Sequence, residues 1–115
     1  MLYTHDPITY PESAYHGGGA TQAKRVGARN GHRWSHLTAD FYPELHEFAK
    51  LLGMKTSWAQ PGHYDLTPAK HALALRLGAL NLSFRECCLR IRALHTGTPL
   101  LHAPDSFEKE RTPSS

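Results

Sequence analysis

Apolar side chains recur with two different periods along this chain, and the switches between them mark its elements. Residues 2–10 (Leu2-Tyr3-Thr4-His5-Asp6-Pro7-Ile8-Thr9-Tyr10) are β-branched and aromatic. They predict a short strand ending near Asp6, because Pro7 cannot donate to a ladder. Trp34-Ser35-His36-Leu37-Thr38 predicts a second strand. Asp40 is the expected N-cap of a helix in which Phe41, Leu45, Phe48, Ala49 and Leu52 fall at helical spacing, with Gly53 suited to the C′ position. Met54 to Ala59 reads as another strand, closed by Gln60-Pro61-Gly62, and His63-Tyr64-Asp65-Leu66 as a short extended segment. Thr67 caps the next helix, with Pro68 at N1, Ala69, Ala72, Leu73 and Leu77 inward and Gly78 at its end. Ser83-Phe84-Arg85-Glu86 is a capping box before Cys87, Cys88, Ile91 and Leu94, and Gly97 and Pro99 stop that helix.

Strands separated by helices predict an α/β fold. The expected form is a single small layered domain over residues 1–102, a short sheet with about three packed helices. Two stretches fall outside this pattern. Residues 11–33 hold Gly17-Gly18-Gly19, Gly27 and Gly31 together with Lys24, Arg25, Arg29 and Arg33, which predicts a long basic, glycine-rich loop. Residues 103–115 predict a loose polar tail.

Composition narrows the class without naming a reaction. With 40% hydrophobic and 20% charged residues among 115, the chain has the makings of a core. No apolar run approaches the ~18 residues of a membrane span, and the first residues lack the basic and apolar regions of a signal peptide. Adjacent Cys87 and Cys88 have Cα atoms ~3.8 Å apart, too close for an ordinary disulfide, so reduced thiols are expected, one of them facing a core. These features exclude a membrane protein, a disulfide scaffold and a repeat array, and they predict a cytoplasmic protein. Thirteen Lys and Arg against ten Asp and Glu give +3, which leaves a nucleic-acid partner open although no binding motif occurs. Nine histidines are the compositional oddity.

The sharpest local chemistry is His63-Tyr64-Asp65. In an extended segment residues two apart share a face, so imidazole and carboxylate point the same way. Such a pair can bind a divalent metal or act as acid and base. His36 shares a strand face with Trp34 and is a further ligand or base. The following helix carries Lys70 and His71 in its first turn, against the macrodipole, and Lys70 with the turn's N–H groups would seat a phosphate or carboxylate. Arg33 is a second phosphate contact, and Trp34 or Tyr64 could stack on a base. Glu44 and His46 diverge across the helix stripe, so at most one of them, His46 in the ligand-binding set, faces a site. His5, His16, His32, His95 and His102 show no partner spacing.

These residues, in order, resemble a known family. Arg33-Trp34-Ser35-His36-Leu37, Ala39-Asp40, Glu44-Leu45-His46-x-Phe48-Ala49-x-x-x-Gly53, His63-Tyr64-Asp65-Leu66 and Ala72 through Gly78-Ala79 are similar to the small bacterial and phage family of the domain of unknown function 4031 (DUF4031). The likeness covers about residues 2–92. Residues 9–31 are longer and richer in glycine than the family's pattern, and Tyr3-Thr4-His5-Asp6 holds one acid where that pattern has two. The resemblance implies that Trp34, His36, Asp40, Glu44, His46, His63 and Asp65 form the family's characteristic set, and it implies no reaction.

Two functions fit the residues. One is a protein that handles phosphate-bearing small molecules or nucleotides as a metal-dependent phosphoester hydrolase, with His63, Asp65 and His36 catalytic. The other is a non-catalytic phage or bacterial module that sequesters a nucleotide signal or binds a host protein. A homo-oligomer is compatible with either.

Overall fold

The computed structural model describes residues 1–9 and 33–100, and the expected basic loop and polar tail lie outside that range apart from Arg33. The strands are β1 (Leu2–His5), β2 (Ile8–Thr9), β3 (Arg33–Ala39), β4 (Tyr64–Leu66) and β5 (Leu80–Leu82). The helices are α1 (Tyr42–Leu51), α2 (Pro68–Arg76) and α3 (Phe84–Thr96), with a 3₁₀ turn at Thr56–Trp58. The fold is α/β, as the alternation of elements predicts. No helix among the described residues is long and apolar enough to cross a membrane.

β3 is the hub of a mixed five-stranded sheet. It pairs antiparallel with β1, β2 and β4, while β1 pairs parallel with β5. The β1 and β2 pairings with β3 differ by one residue of register, and the offset falls at Asp6-Pro7, where proline leaves the ladder without a donor. Side-chain alternation then divides the sheet between two cores. Leu37, Ala39, Tyr64 and Leu66 pack with Leu45, Phe48, Ala49 and Leu52 around α1, and with Ala74 of α2. On the other face Tyr3 and Leu82 pack with Cys87 and Ile91 of α3. Helices therefore cover both faces.

Several local expectations need correction. Asp40 does not cap α1. The N-cap is Phe41, without a side-chain bond, and Asp40 instead accepts from the Tyr3 hydroxyl at 2.8 Å. Met54 to Ala59 is no strand: it meets no partner strand, and its residues close the 3₁₀ turn while Met54 and Trp58 pack on the α1 core. The inward side of α2 is His71 and Ala74 with Leu73 half-buried against the core as expected, while Ala69, Ala72 and Leu77 are exposed. On the same helix Lys70 donates to the Leu52 carbonyl at the end of α1. Strand β5 was not foreseen. The caps of α2 and α3 are as read: Thr67 accepts from Lys70 N and Ser83 from Glu86 N, each at 3.1 Å.

Candidate metal centre

The register of the sheet builds a row of polar side chains on the face that α3 covers. His36 stands directly opposite Asp65 across β3 and β4. The β1–β3 register, continued one step past Thr4 and Leu37, sets His5 opposite His36. Cross-strand neighbours have Cβ atoms only ~5 Å apart, so His5, His36 and Asp65 meet side by side. His63, two residues before Asp65, joins them on the same face.

A tight turn aims His63. Gln60-Pro61-Gly62-His63 places proline second and a glycine with φ +81° third, the pattern of a type II turn, and His63 N donates to Gln60 O at 3.2 Å. A Cβ on Gly62 would lie 2.6 Å from the Ile91 carbonyl oxygen, so the turn sits directly on α3. Thr38 Oγ1 ties it to β3 by donating to Gly62 O at 2.6 Å.

Hydrogen bonds fix where each imidazole keeps its proton. His5 Nδ1 lies 2.7 Å from the Asp6 carbonyl oxygen, which can only accept, so this nitrogen carries the hydrogen. Its Nε2 accepts the His36 backbone N–H at 3.0 Å and faces His36 Nδ1 at 2.9 Å. His36 must then donate from Nδ1 and keep its lone pair on Nε2. His63 Nδ1 donates to the Pro61 carbonyl at 3.1 Å, which leaves the lone pair of the neutral ring on Nε2 as well. Burial holds both His5 and His36 below the usual histidine pKa, His36 far below it with repulsion from His63 and His5 added.

Asp65 completes the set. It is 2% exposed, and its Oδ1 has no hydrogen-bond partner. His63 Nε2 approaches that oxygen to 3.3 Å, within ion-pair distance but out of hydrogen-bond alignment. A buried carboxylate oxygen facing an imidazole lone pair is costly unless a cation or a proton lies between them. One ligand atom from each of His36, His63 and Asp65 lies within 4.8 Å of the others. Two ligands of one ion at ~2.1 Å and a tetrahedral angle are ~3.4 Å apart, a spacing that the His63–Asp65 pair already matches. Two imidazoles and one carboxylate suit zinc, iron(II) or another first-row ion better than magnesium or calcium.

Aromatic rings enclose the row. Trp34, 6% exposed, meets the His36 ring edge-on at 5.3 Å. Phe84, the first residue of α3 and 40% exposed, stands 5.0 Å from the His5 ring and 6.2 Å from that of His36. A hollow of about 410 Å³ begins at Phe84 and is lined by Arg85, Cys88, Leu89 and Arg92. A larger groove of about 570 Å³, along Asp40, Tyr42, Arg90 and Leu94, holds none of the cluster. Its Asp40 rim lies ~13 Å along β3 from His36. The chemistry, not the volume, marks the site.

Of the residues singled out in the sequence, His63, Asp65, His36 and Trp34 come together. The others stand apart. Tyr64 is fully buried on the α1 face, its hydroxyl hydrogen-bonded to His46 Nδ1 at 2.6 Å, and the His46 ring stacks on Tyr42. Lys70 is engaged with Leu52, and exposed Arg33 follows strand alternation onto the face opposite Trp34 and His36. Glu44 is likewise remote, salt-bridged to the amino group of Met1. His5 and Phe84 are the residues that sequence reasoning missed. For His5 the only signal was a non-local strand register, and for Phe84 its place beside a capping serine.

The model of a family described as protein of unknown function (DUF4031) matches residues 23–94. No curated protein and no solved structure matches the chain.

Proposed function

The chain belongs to the DUF4031 family, whose description names no activity, and from its site we propose a divalent-metal-dependent hydrolase of phosphate esters. His36, His63 and Asp65 hold the ion. The observation that carries this reading is the buried Asp65 Oδ1, which lies 3.3 Å from His63 Nε2 and has no hydrogen-bond partner. A divalent ion held by these three residues would balance the carboxylate and would supply an activated water as the nucleophile for hydrolysis.

A phosphate-bearing substrate is supported by the rim. α3 begins beside the cluster, so the positive end of its dipole lies there. Arg85 adds a cation in that first turn, where the dipole disfavours one, and a locally broken rule of this kind is common at functional sites. Lys70, half-buried and hydrogen-bonded to the end of α1, takes no part. Phe84 offers an apolar surface for a leaving group or base, a role that Tyr64 cannot fill from the opposite face.

The test is hydrolysis of a small phosphodiester and of a nucleotide panel, with the protein loaded in turn with zinc, manganese and iron(II). Turnover is expected with at least one of these ions, and His63→Ala should lower it by 10²-fold or more while the fold persists. Substrates recovered intact after prolonged incubation with the metal-loaded protein would overturn the hydrolase reading and favour a binding module.

A further inference from the structure

We propose that His5 is a positioning residue of this metal centre, selecting the tautomer of His36 that leaves Nε2 as the metal-binding nitrogen. The inference rests on His36 being a ligand, and it adds a fourth residue whose role lies in the bonds it makes to His36.

The selection is determined twice over. Main-chain geometry acts first. The His36 backbone N–H donates to His5 Nε2 at 3.0 Å, so that nitrogen cannot carry a hydrogen of its own. From the other side of the ring, the Asp6 carbonyl requires a hydrogen on His5 Nδ1 at 2.7 Å. Both demands specify the same neutral form of His5. The His5 Nε2 lone pair then accepts a second hydrogen bond at 2.9 Å, and the only hydrogen His36 can offer there is on Nδ1. The two rings are tilted by 59° with centroids 5.1 Å apart, a contact of edge and lone pair rather than a stack.

Without this acceptor, nothing in the His5–His36 contact would hold the His36 hydrogen on Nδ1. A hydrogen on Nε2 would occupy the nitrogen that must bind the ion. Metal-ligating histidines usually pass their second N–H to a carboxylate or a carbonyl, which orients the ring. Here a second imidazole, 1% exposed and packed edge-on against Phe84, does so without adding negative charge. The carboxylate count of the centre therefore stays at one.

Two substitutions separate this role from simple packing. His5→Gln keeps an acceptor oxygen near the position of Nε2, and His5→Met fills similar volume with only a weak acceptor. In long-range ¹H–¹⁵N correlation spectra near neutral pH, wild-type His36 is expected as the Nδ1–H tautomer. His5→Gln should retain it, and His5→Met should shift it toward Nε2–H. Zinc affinity, measured against a chromophoric chelator, should fall 10–100-fold in His5→Met and recover most of that loss in His5→Gln. A wild-type His36 hydrogen on Nε2 overturns the proposal even if His5→Met does not fold. So does a folded His5→Met that binds zinc as tightly as wild type. A wild type with the expected tautomer and no zinc binding instead refutes the ligand set, and with it a metal role for His5, while leaving the His5–His36 bond intact.

Discussion

Asp65 holds a buried carboxylate oxygen without a hydrogen-bond partner where a folded protein ordinarily arranges a donor. Metal-free, burial favours the neutral forms of His5 and His36, which gives the stability a definite pH dependence. His5 and His36 have folded pKa values below the ordinary 6.5, burial being the first cause in each. The unfolded chain therefore binds more protons than the folded one in the window below about 6.5. Stability from these two groups is fully present above that value and is lost as pH falls through their depressed folded values. Thermal melts of metal-free protein should show a midpoint that is flat above pH 7 and drops toward pH 5. A midpoint that rises over the same interval would contradict this assignment of burial. The residue scale was partly legible: H-x-D gave one face of the site, because the period of a strand is two. The partner that fixes the His36 ring was not legible, since His5 lies 31 positions away and nothing in its local spacing marks it.

Among the elements, the hairpin turn before β4 matters most to the site. It places His63, supplies the Pro61 carbonyl that orients its ring, and rests on α3 through a glycine. Gly62→Ala combines a positive φ with a Cβ 2.6 Å from a backbone oxygen, which a side-chain rotation cannot relieve. The expected cost is about 2 kcal/mol or more, read as a lower denaturation midpoint, and metal affinity should weaken as well because His63 moves with the turn. An alanine variant as stable as wild type would mean that the turn does not bear on α3. Helix boundaries marked by Thr67, Pro68 and Ser83 were readable because caps are local chemistry. β5 was not, since Leu80-Asn81-Leu82 offers only three alternating positions and owes its strand to pairing with β1, far away in sequence. Lys70 shows a local rule broken for a tertiary reason: its ammonium satisfies a carbonyl at the end of α1, so its position against the α2 dipole marks packing rather than a site.

At the scale of the molecule, the α/β alternation was legible, and the convergence of three strands on one polar row was not. β1, β3 and β4 each contribute one member to that row, and the turn contributes His63. An ion held there would join β3 to the 60–66 hairpin and stabilise the folded state by mass action, ~2.7 kcal/mol at a hundredfold excess over Kd. The thiols take no part in such a centre: Cys87 is fully buried, and burial raises the pKa of both Cys87 and Cys88, which keeps them protonated near neutral pH. Of the nine histidines that set the composition apart, three therefore gather at one site, and a fourth, His71, is committed to Asn81 at 3.0 Å on α2.

The most direct measurement is a calorimetric titration of zinc into wild type and Asp65→Asn, paired with thermal melts of each. Wild type should take up one ion per chain and melt several degrees higher when loaded. Asp65→Asn should bind none, yet melt at or above metal-free wild type, because the buried carboxylate oxygen that lacks a hydrogen-bond donor is gone. A wild type that binds no divalent ion, or an Asp65→Asn protein that binds it equally well, would contradict the metal centre.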